Sequence, residues 1–279
     1  MRDLSSDSGL LSLNGATVRQ KWGLKAIIEG CAKRGFGGVA PWRDQIAAYG
    51  LDKTARHIRD AGIGVSGVCR GGMFPAATQE GRLANIADNR KAIDEAVALG
   101  ADCLVLVVGG MPEGSKDIAG ARTQVEDGIA AVLDYARTNE MPLAIEPLHP
   151  MYAADRACVN TLGQALDICD RLGEGIGVAI DVYHVWWDPE LEAQIARAGR
   201  GKQILAFHVC DWLVPTTDLL LDRGMMGDGV IDIPKIRGWV EDAGFDGLIE
   251  VEIFSAANWW QRDPDEVLDT CLERHRTVV

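Results

Sequence analysis

Residues 169–182, CDRLGEGIGVAIDV, contain the pattern that decides the fold. An amphipathic stretch ends at a glycine, which suits the left-handed position that often follows a helix. A short apolar, β-branched run comes next, as expected of a parallel strand that is buried on both faces. The pattern predicts a helix followed by a buried strand, and the strand ends at an acidic residue.

The same helix–glycine–strand pattern occurs elsewhere along the chain, in residues 31–42, 58–69, 96–110 and 240–254. Counting all strand-like runs gives eight strands, at about 10–14, 37–42, 63–69, 103–108, 142–146, 176–182, 203–209 and 247–253. Eight alternating units without a break in composition favour an α/β fold, a single (β/α)8 TIM barrel that forms one domain over residues 1–279. A doubly wound open sheet is the alternative, but no G-x-G-x-x-G follows the first strand.

Two Asp–Pro pairs predict where helices begin, because aspartate is a favoured N-cap and proline suits the first helical position. They are Asp188–Pro189 and Asp263–Pro264. We expect a helix to start at each pair.

Acidic or imidazole side chains stand near the ends of four successive predicted strands. They are Glu146, Asp181, His208 and Glu252. In a barrel such residues converge at the C-terminal mouth. Three carboxylates and one imidazole predict a site for one divalent ion, with Mn²⁺ preferred and Mg²⁺, Co²⁺ or Zn²⁺ as alternatives. Scattered buried charges, paired for stability, are the other interpretation, although unpaired buried carboxylates are expensive.

The interior of the barrel follows from the alternation of side chains along a strand. Ala144, Ala179 and Ala206 lie two positions before the first three candidate ligands and share their face. Small residues there leave space beneath the ion. The corresponding residue of the eighth strand is Glu250. We expect it either to be a structural partner of a basic side chain or to replace Glu252 as a ligand.

Further side chains that follow the strands are candidates for binding a substrate, namely His184, Arg43, Arg70, Asp211, Trp42 and His149. Guanidinium groups bind carboxylates and phosphates through paired hydrogen bonds, and indole rings offer apolar walls. Salt bridges at the rim are the alternative for the arginines. The histidines could instead be surface groups, and the aspartate could orient a metal ligand.

Composition limits the class of protein. A net charge of −13 argues against extensive contact with nucleic acid. The seven cysteines form no C-x-x-C pair, which indicates free thiols in a reducing cytoplasm. No apolar run approaches the length of a membrane span, so we expect a cytoplasmic protein without membrane contact. A homo-oligomer is compatible with the tryptophans that follow the strands.

The motifs resemble those of the xylose-isomerase-like TIM-barrel superfamily, and specifically its ketose 3-epimerase branch. The resemblance rests on EPLHP with a later Asn160, DVYH, FHVCD, GDG and GFDGLIEVEIF. It implies that the four strand-end residues bind the metal and that His184 binds the substrate. It also implies that Glu146 and Glu252 transfer protons.

The implied activity is a metal-dependent sugar isomerase or epimerase. Its substrate would be a ketose or related polyhydroxy carbonyl compound, and the reaction would pass through an enediolate. A lyase or dehydratase with the same enediolate chemistry is the alternative, and a non-catalytic sugar-binding barrel is another. DNA cleavage by an AP endonuclease is disfavoured, because the stretch LLLDRGMMGDG around Asp222 lacks the histidine that a three-zinc cluster requires.

Overall fold

A computed structural model describes residues 1–279 and shows a closed barrel of parallel strands. In chain order the strands are β1 (Leu11–Asn14), β2 (Gly38–Ala40), β3 (Gly64–Val65), β4 (Val68–Gly72), β5 (Leu104–Val107), β6 (Leu143–Ile145), β7 (Ile176–Asp181), β8 (Ile204–Val209), β9 (Asp211–Trp212), β10 (Arg223–Gly224) and β11 (Ile249–Val251). Strands β9 and β10 form a separate antiparallel pair. The other nine form one sheet, in the order β3-β2-β1-β11-β8-β7-β6-β5-β4.

The two edges of that sheet belong to one interrupted strand. β3 pairs with β2 and β4 pairs with β5, and only Ser66 and Gly67 separate the two segments. The N–H of Cys69 in β4 donates to the carbonyl of Pro41, which directly follows β2, over 3.1 Å. This hydrogen bond closes the barrel between β2 and β4. Counting β3 and β4 as one strand gives the predicted eight, so the (β/α)8 architecture is confirmed.

Helices surround the barrel and connect its strands. They are α1 (Leu24–Lys33), α2 (Arg43–Tyr49), α3 (Leu51–Ala61), α4 (Gln79–Leu99), α5 (Ile118–Thr138), α6 (Leu162–Leu172), α7 (Val182–Val185), α8 (Leu191–Arg200), α9 (Ile233–Asp242) and α10 (Pro264–Thr277). Gly62 and Gly100 end α3 and α4 in the left-handed conformation. None of these helices combines the length and the apolar character that a membrane crossing requires.

The two Asp–Pro pairs behave differently. Asp263 caps α10, and Pro264 is its first residue, as predicted. The prediction for Asp188–Pro189 was wrong, because α8 begins at Leu191. The carboxylate of Asp188 instead accepts the N–H of Glu190 over 2.9 Å, which closes a turn before the helix. This local side-chain bond competes successfully with the capping arrangement.

Two separate apolar clusters stabilise the barrel. The larger contains 68 buried residues and includes helix residues such as Ile28 and Ile129 together with strand residues such as Leu104. The smaller lies inside the barrel and consists of Cys69, Cys103, Val105, Ala144, Ala179 and Ala206. The three alanines therefore lie together, as the alternation of side chains predicted.

Candidate metal centre

The four predicted ligands meet at the C-terminal mouth of the barrel. Glu146 follows β6 directly, Asp181 ends β7, His208 lies in β8 and Glu252 follows β11. All are buried, and one potential ligand atom from each lies within 4.8 Å of the others. Parallel register places them there, since Asp181 is the direct partner of His208 across β7 and β8.

The imidazole of His208 connects two levels of the barrel interior. Its Nδ1 lies 3.0 Å from Oε1 of Glu146, a member of the ligand group. Its Nε2 faces Glu250, at 3.6 Å from Oε1, and makes no hydrogen bond. Glu250 is also buried, and it does not belong to the group of four converging donors. Its position favours the structural interpretation over replacement of Glu252 as a ligand.

Arg223 is a residue of the site that the sequence did not single out. It begins β10 and is buried, with Nη1 2.9 Å from Oδ2 of Asp181 and 3.2 Å from Oε2 of Glu252. Its guanidinium lies 4.3 Å from the ring centre of Tyr183 and 5.1 Å from that of Phe254. The site therefore contains a positive charge of its own, held between carboxylates and aromatic rings.

The surroundings shift the pKa values of the two carboxyl groups Glu252 and Asp181 in opposite directions. Burial raises the pKa of Glu252 to about 8, although Arg223 opposes the rise. Burial acts on Asp181 in the same direction, but Arg223, His184 and His208 together outweigh it and lower the pKa of that carboxyl. Burial would lower the pKa of His208, yet the nearby carboxylates of Glu250 and Glu146 raise it well above its ordinary value. The metal-free site therefore retains protons near neutral pH.

His184 lies beside the ligands, as predicted, and its ring is neutral. Burial lowers the pKa of His184 to about 3, so the ring is neutral at pH 7. The backbone N–H of His149 faces Nδ1 over 3.2 Å. Nε2 lies 3.6 Å from Oδ2 of Asp181 and 3.1 Å from Nη2 of Arg223. Donors therefore approach both nitrogens of a neutral ring that can accept at only one of them.

The wall on this side is aromatic. The ring of His149 stacks on that of Trp212, with centres 4.9 Å apart and planes at 26°. Tyr183 lies 4.8 Å from Trp212, and Trp187 meets the edge of His149 at 5.9 Å. These rings form a half-buried apolar surface beside His184.

The opposite side of the mouth contains a cavity of about 400 Å³, which is lined by Trp42, Cys69 and Arg70 among others. Arg70 has no ion-pair partner, and burial together with the charge of Arg156 lowers its pKa. The indole nitrogen of Trp42 donates to Oδ1 of Asn14 over 2.7 Å. Both predicted residues therefore border an open space at the mouth.

Arg43 lines the same cavity, but its guanidinium is engaged in ion pairs. The guanidinium of Arg43 binds both carboxylate oxygens of Asp88, at 2.8 and 2.9 Å, and Glu95 at 2.6 Å. This arrangement supports the salt-bridge alternative for Arg43. Its partners lie on α4, far along the chain, and for that reason the local sequence did not reveal them.

Asp211 organises a loop rather than facing the mouth. Its carboxylate accepts the N–H groups of Gly227 and Gly229 over 2.9 Å each, and that of Ile231 over 3.0 Å. A carboxylate occupied by several backbone donors is poorly placed to orient a ligand or bind a substrate hydroxyl. The expectation for Asp211 is therefore corrected to a structural role.

The four converging residues suit one divalent ion. Oxygen and nitrogen ligands lie about 2.0–2.2 Å from zinc, so ligands on opposite sides of an ion are about 4 Å apart. Donor atoms already within 4.8 Å of one another need only small movements to reach such spacing. Three oxygens and one nitrogen, with no thiolate, match ions that keep positions open for water or substrate.

Residues 28–271 match the family model described as xylose isomerase-like TIM barrel. The crystal structure of protein SMc04130 from Sinorhizobium meliloti 1021 is 63% identical, with a TM-score of 0.96 over 96% of this chain and 98% of that chain.

Two more distant similarities extend over almost the whole chain. The inosose isomerase of Bacillus velezensis is 22% identical over 96% of both sequences. A crystal structure of the IOLI protein with a bound zinc atom has a TM-score of 0.81 at 21% identity, over 96% of this chain and 97% of that one. The structural similarity at this identity shows the fold alone. Because the family model matches most of the chain, the chain belongs to the xylose isomerase-like TIM barrel family.

Proposed function

We propose that this protein is a metal-dependent isomerase or epimerase of a ketose or related polyhydroxy carbonyl compound. The observation that carries the proposal is the convergence of Glu146, Asp181, His208 and Glu252 within 4.8 Å at the barrel mouth. The similarity to an inosose isomerase supports the same class, since an inosose is a cyclic polyhydroxy ketone.

The four converging residues would hold one ion. Mn²⁺ remains our preferred metal because of the oxygen-rich donor set, and the zinc in the IOLI structure supports a divalent ion in general. A bound divalent ion supplies Lewis-acid chemistry, which stabilises negative charge on substrate oxygens as a proton leaves carbon.

The two glutamates would move that proton. Glu146 follows β6 and Glu252 follows β11, with β7 and β8 between them in the sheet. They therefore approach the mouth from different sides of the barrel. One carboxylate removes the proton next to the carbonyl to give an enediolate. The other returns a proton to the opposite face for epimerisation, or to the neighbouring carbon for isomerisation.

His184 and Arg223 would orient the substrate. Nη2 of Arg223 and the backbone N–H of His149 approach the two ring nitrogens of His184 at 3.1 and 3.2 Å, although a neutral ring can accept from only one of them. A substrate oxygen near His184 and Arg223 would accept from the guanidinium and relieve this mismatch. The rings of His149 and Trp212 offer a wall for carbon–hydrogen faces of a sugar, while Trp42 and Arg70 border the other side.

Composition bears on the cellular compartment and on the partners of the protein. All seven cysteines are free and buried, which supports a reducing cytoplasm. We propose a small carbohydrate as the partner and no nucleic acid, in keeping with the net charge of −13. We also propose one domain over residues 1–279. A homo-oligomer remains an expectation that light scattering can test.

The decisive experiment is proton NMR in D₂O with Mn²⁺ and a panel of ketoses and inososes. We expect one carbon-bound proton of the true substrate to exchange with solvent, at the carbon where the glutamates act. New ultraviolet absorption from an unsaturated carbonyl product would show a lyase or dehydratase instead. No exchange and no new product across the panel would contradict the proposed class.

A further inference from the structure

Glu250 lies one level below the proposed metal, inside the barrel. It is buried in β11 and is the direct partner of His208 in β8 and of Ser12 in β1. Its Oε1 accepts a hydrogen bond from Nδ2 of Asn14, and its Oε2 accepts one from the hydroxyl of Ser66, each over 2.7 Å. A carboxylate with a defined donor on each oxygen has a fixed orientation.

The donors that hold Glu250 are themselves fixed. Oδ1 of Asn14 accepts the indole N–H of Trp42 over 2.7 Å and the N–H of Ala16 over 3.0 Å, so Nδ2 must point to Glu250. The hydroxyl of Ser66 lies 2.7 Å from that of Ser12 and gives its own proton to Glu250. The carboxylate is therefore part of a connected network that begins at the mouth.

The two nitrogens of His208 have different environments. Nδ1 lies 3.0 Å from Glu146, among the proposed metal ligands. Nε2 is buried, has no hydrogen-bond partner and lies 3.6 Å from Oε1 of Glu250. Histidines that bind metals commonly donate their second ring N–H to a carboxylate, which fixes the tautomer and the ring orientation.

We propose that Glu250 is a positioning residue of the metal centre: it receives the Nε2–H of His208 and so presents Nδ1 to the ion. The inference rests on the proposed metal site and adds a second carboxylate partner for its only nitrogen ligand. Glu250 itself stays outside the ligand group, because both of its oxygens are bound by donors from Asn14 and Ser66. A small tightening of the 3.6 Å separation completes the contact.

The first test determines the tautomer of His208 in the wild-type protein. The zinc-loaded wild-type protein, labelled with ¹⁵N in its five histidines, should show His208 with a proton retained on Nε2 and the metal on Nδ1. The signal is assigned by its loss in His208→Gln. Metal on Nε2, with Nδ1 protonated, would overturn the proposal.

The second test is Zn²⁺ binding by calorimetry to metal-free wild type and Glu250→Gln. The glutamine places an NH₂ against a donor from Asn14 or Ser66 and removes the charge next to Nε2. We expect affinity to fall about 10–100-fold. Ser12→Ala is the matched control, because it alters the end of the same network without touching Glu250, and its affinity should stay within twofold of wild type.

The outcomes separate this inference from the proposed function. If the wild type binds Zn²⁺ and Glu250→Gln binds it equally well, the positioning role is wrong, whatever the activity. If wild type shows the predicted tautomer and the affinity loss but processes no polyhydroxy ketone, the inference stands and the proposed function fails. Should Glu250→Gln not fold, Glu250→Asp is the alternative variant, because it keeps the carboxylate charge but moves it away from Nε2 of His208. An Nε2–H signal that is unchanged from wild type in Glu250→Asp would overturn the inference.

Discussion

Nη1 of Arg223 lies 2.9 Å from Oδ2 of Asp181, inside the group of residues that we propose to bind a metal. The same nitrogen reaches Glu252 at 3.2 Å. The protein therefore carries one fixed cation beside the place where it would hold a second. In the metal-free state this arginine partly neutralises the charge of the buried carboxylates. Without it, Asp181 and Glu252 would face each other with no counter-charge.

Replacing Arg223 with methionine should destabilise the metal-free protein. Removing one partner from a buried ion pair typically costs about 3–5 kcal/mol, since the remaining charges stay buried. Urea denaturation after chelation measures the loss. Arg262→Met is the control, because Arg262 pairs with Glu266 on the surface and its loss should cost less than about 1 kcal/mol. Equal effects of the two variants would contradict the role given to Arg223.

Chelation should abolish isomerase activity, and Mn²⁺ should restore it. Removing the ion removes the charge that stabilises the enediolate, whereas the barrel retains its apolar core. Metal at 100 times its dissociation constant should also stabilise the fold by about 2.7 kcal/mol, which a thermal-melting series can detect. Full activity after exhaustive chelation would refute metal dependence.

Metal affinity should rise steeply with pH. Burial raises the pKa of Glu252 from 4.5 to about 8, and the carboxylates of Glu250 and Glu146 outweigh burial to raise that of His208. An ion must displace these protons, so affinity should increase about tenfold per pH unit for each proton released. Calorimetry in buffers with different ionisation enthalpies counts the protons. Release of none at pH 7 would contradict these shifts.

The stability of the metal-free protein should change with pH in the opposite sense. Because the folded protein holds a proton on Glu252 that the unfolded chain has lost, the free energy of unfolding should fall as pH rises from 6.5, above which the lowered pKa of His184 no longer contributes, to about 8. His208, whose pKa is also raised, acts in the same direction. Saturating metal should remove this slope. Urea denaturation at several pH values measures it, and stability that rises over that range would show the sign to be wrong.

Glu146→Gln and Glu252→Gln should each lower kcat by about 10²–10⁴-fold, as expected when a general acid or base is lost. Both substitutions keep the side-chain size, so the fold should persist by circular dichroism. Metal content must be measured in each variant, because these residues are also proposed ligands. Glu126→Gln, which alters only an exposed pair with Arg171, should retain wild-type activity. Unchanged function in both site variants would favour a non-catalytic barrel.

Arg70→Gln should raise KM about tenfold with a smaller effect on kcat, because Arg70 borders the mouth cavity without an ion-pair partner. Arg43→Gln is the informative comparison. Arg43 is bound to Asp88 and Glu95, so its loss should reduce stability more than substrate binding. Steady-state kinetics and denaturation of both variants test the distinction, and an unchanged KM in Arg70→Gln would remove it from the site.

The barrel and the convergence of its four donors were predictable because they depend on local, repeated patterns. A strand buried on both faces shows as an apolar run, and a residue at its end, such as Asp181, must lie at the mouth. The alternation of side chains even identified Glu250. These features need only the strand positions, not the details of packing.

Arg223 could not be predicted for the opposite reason. It lies in a short hairpin, and its partners Asp181 and Glu252 come from strands far away in the chain. The carboxylate of Asp211 likewise finds its donors in a loop that begins well after it. In each case a loop conformation decides which groups meet, and a loop leaves no periodic signal in the sequence.

The separation of the barrel's two apolar clusters has a consequence for how this protein can diverge. Ala144, Ala179 and Ala206 belong to the small inner cluster, whereas the 68-residue cluster anchors the helices. Exchanging an inner alanine for a larger residue would reshape the floor of the mouth and leave the outer scaffold almost untouched. Selection can therefore adjust which molecules fit this barrel while the architecture that carries them stays the same.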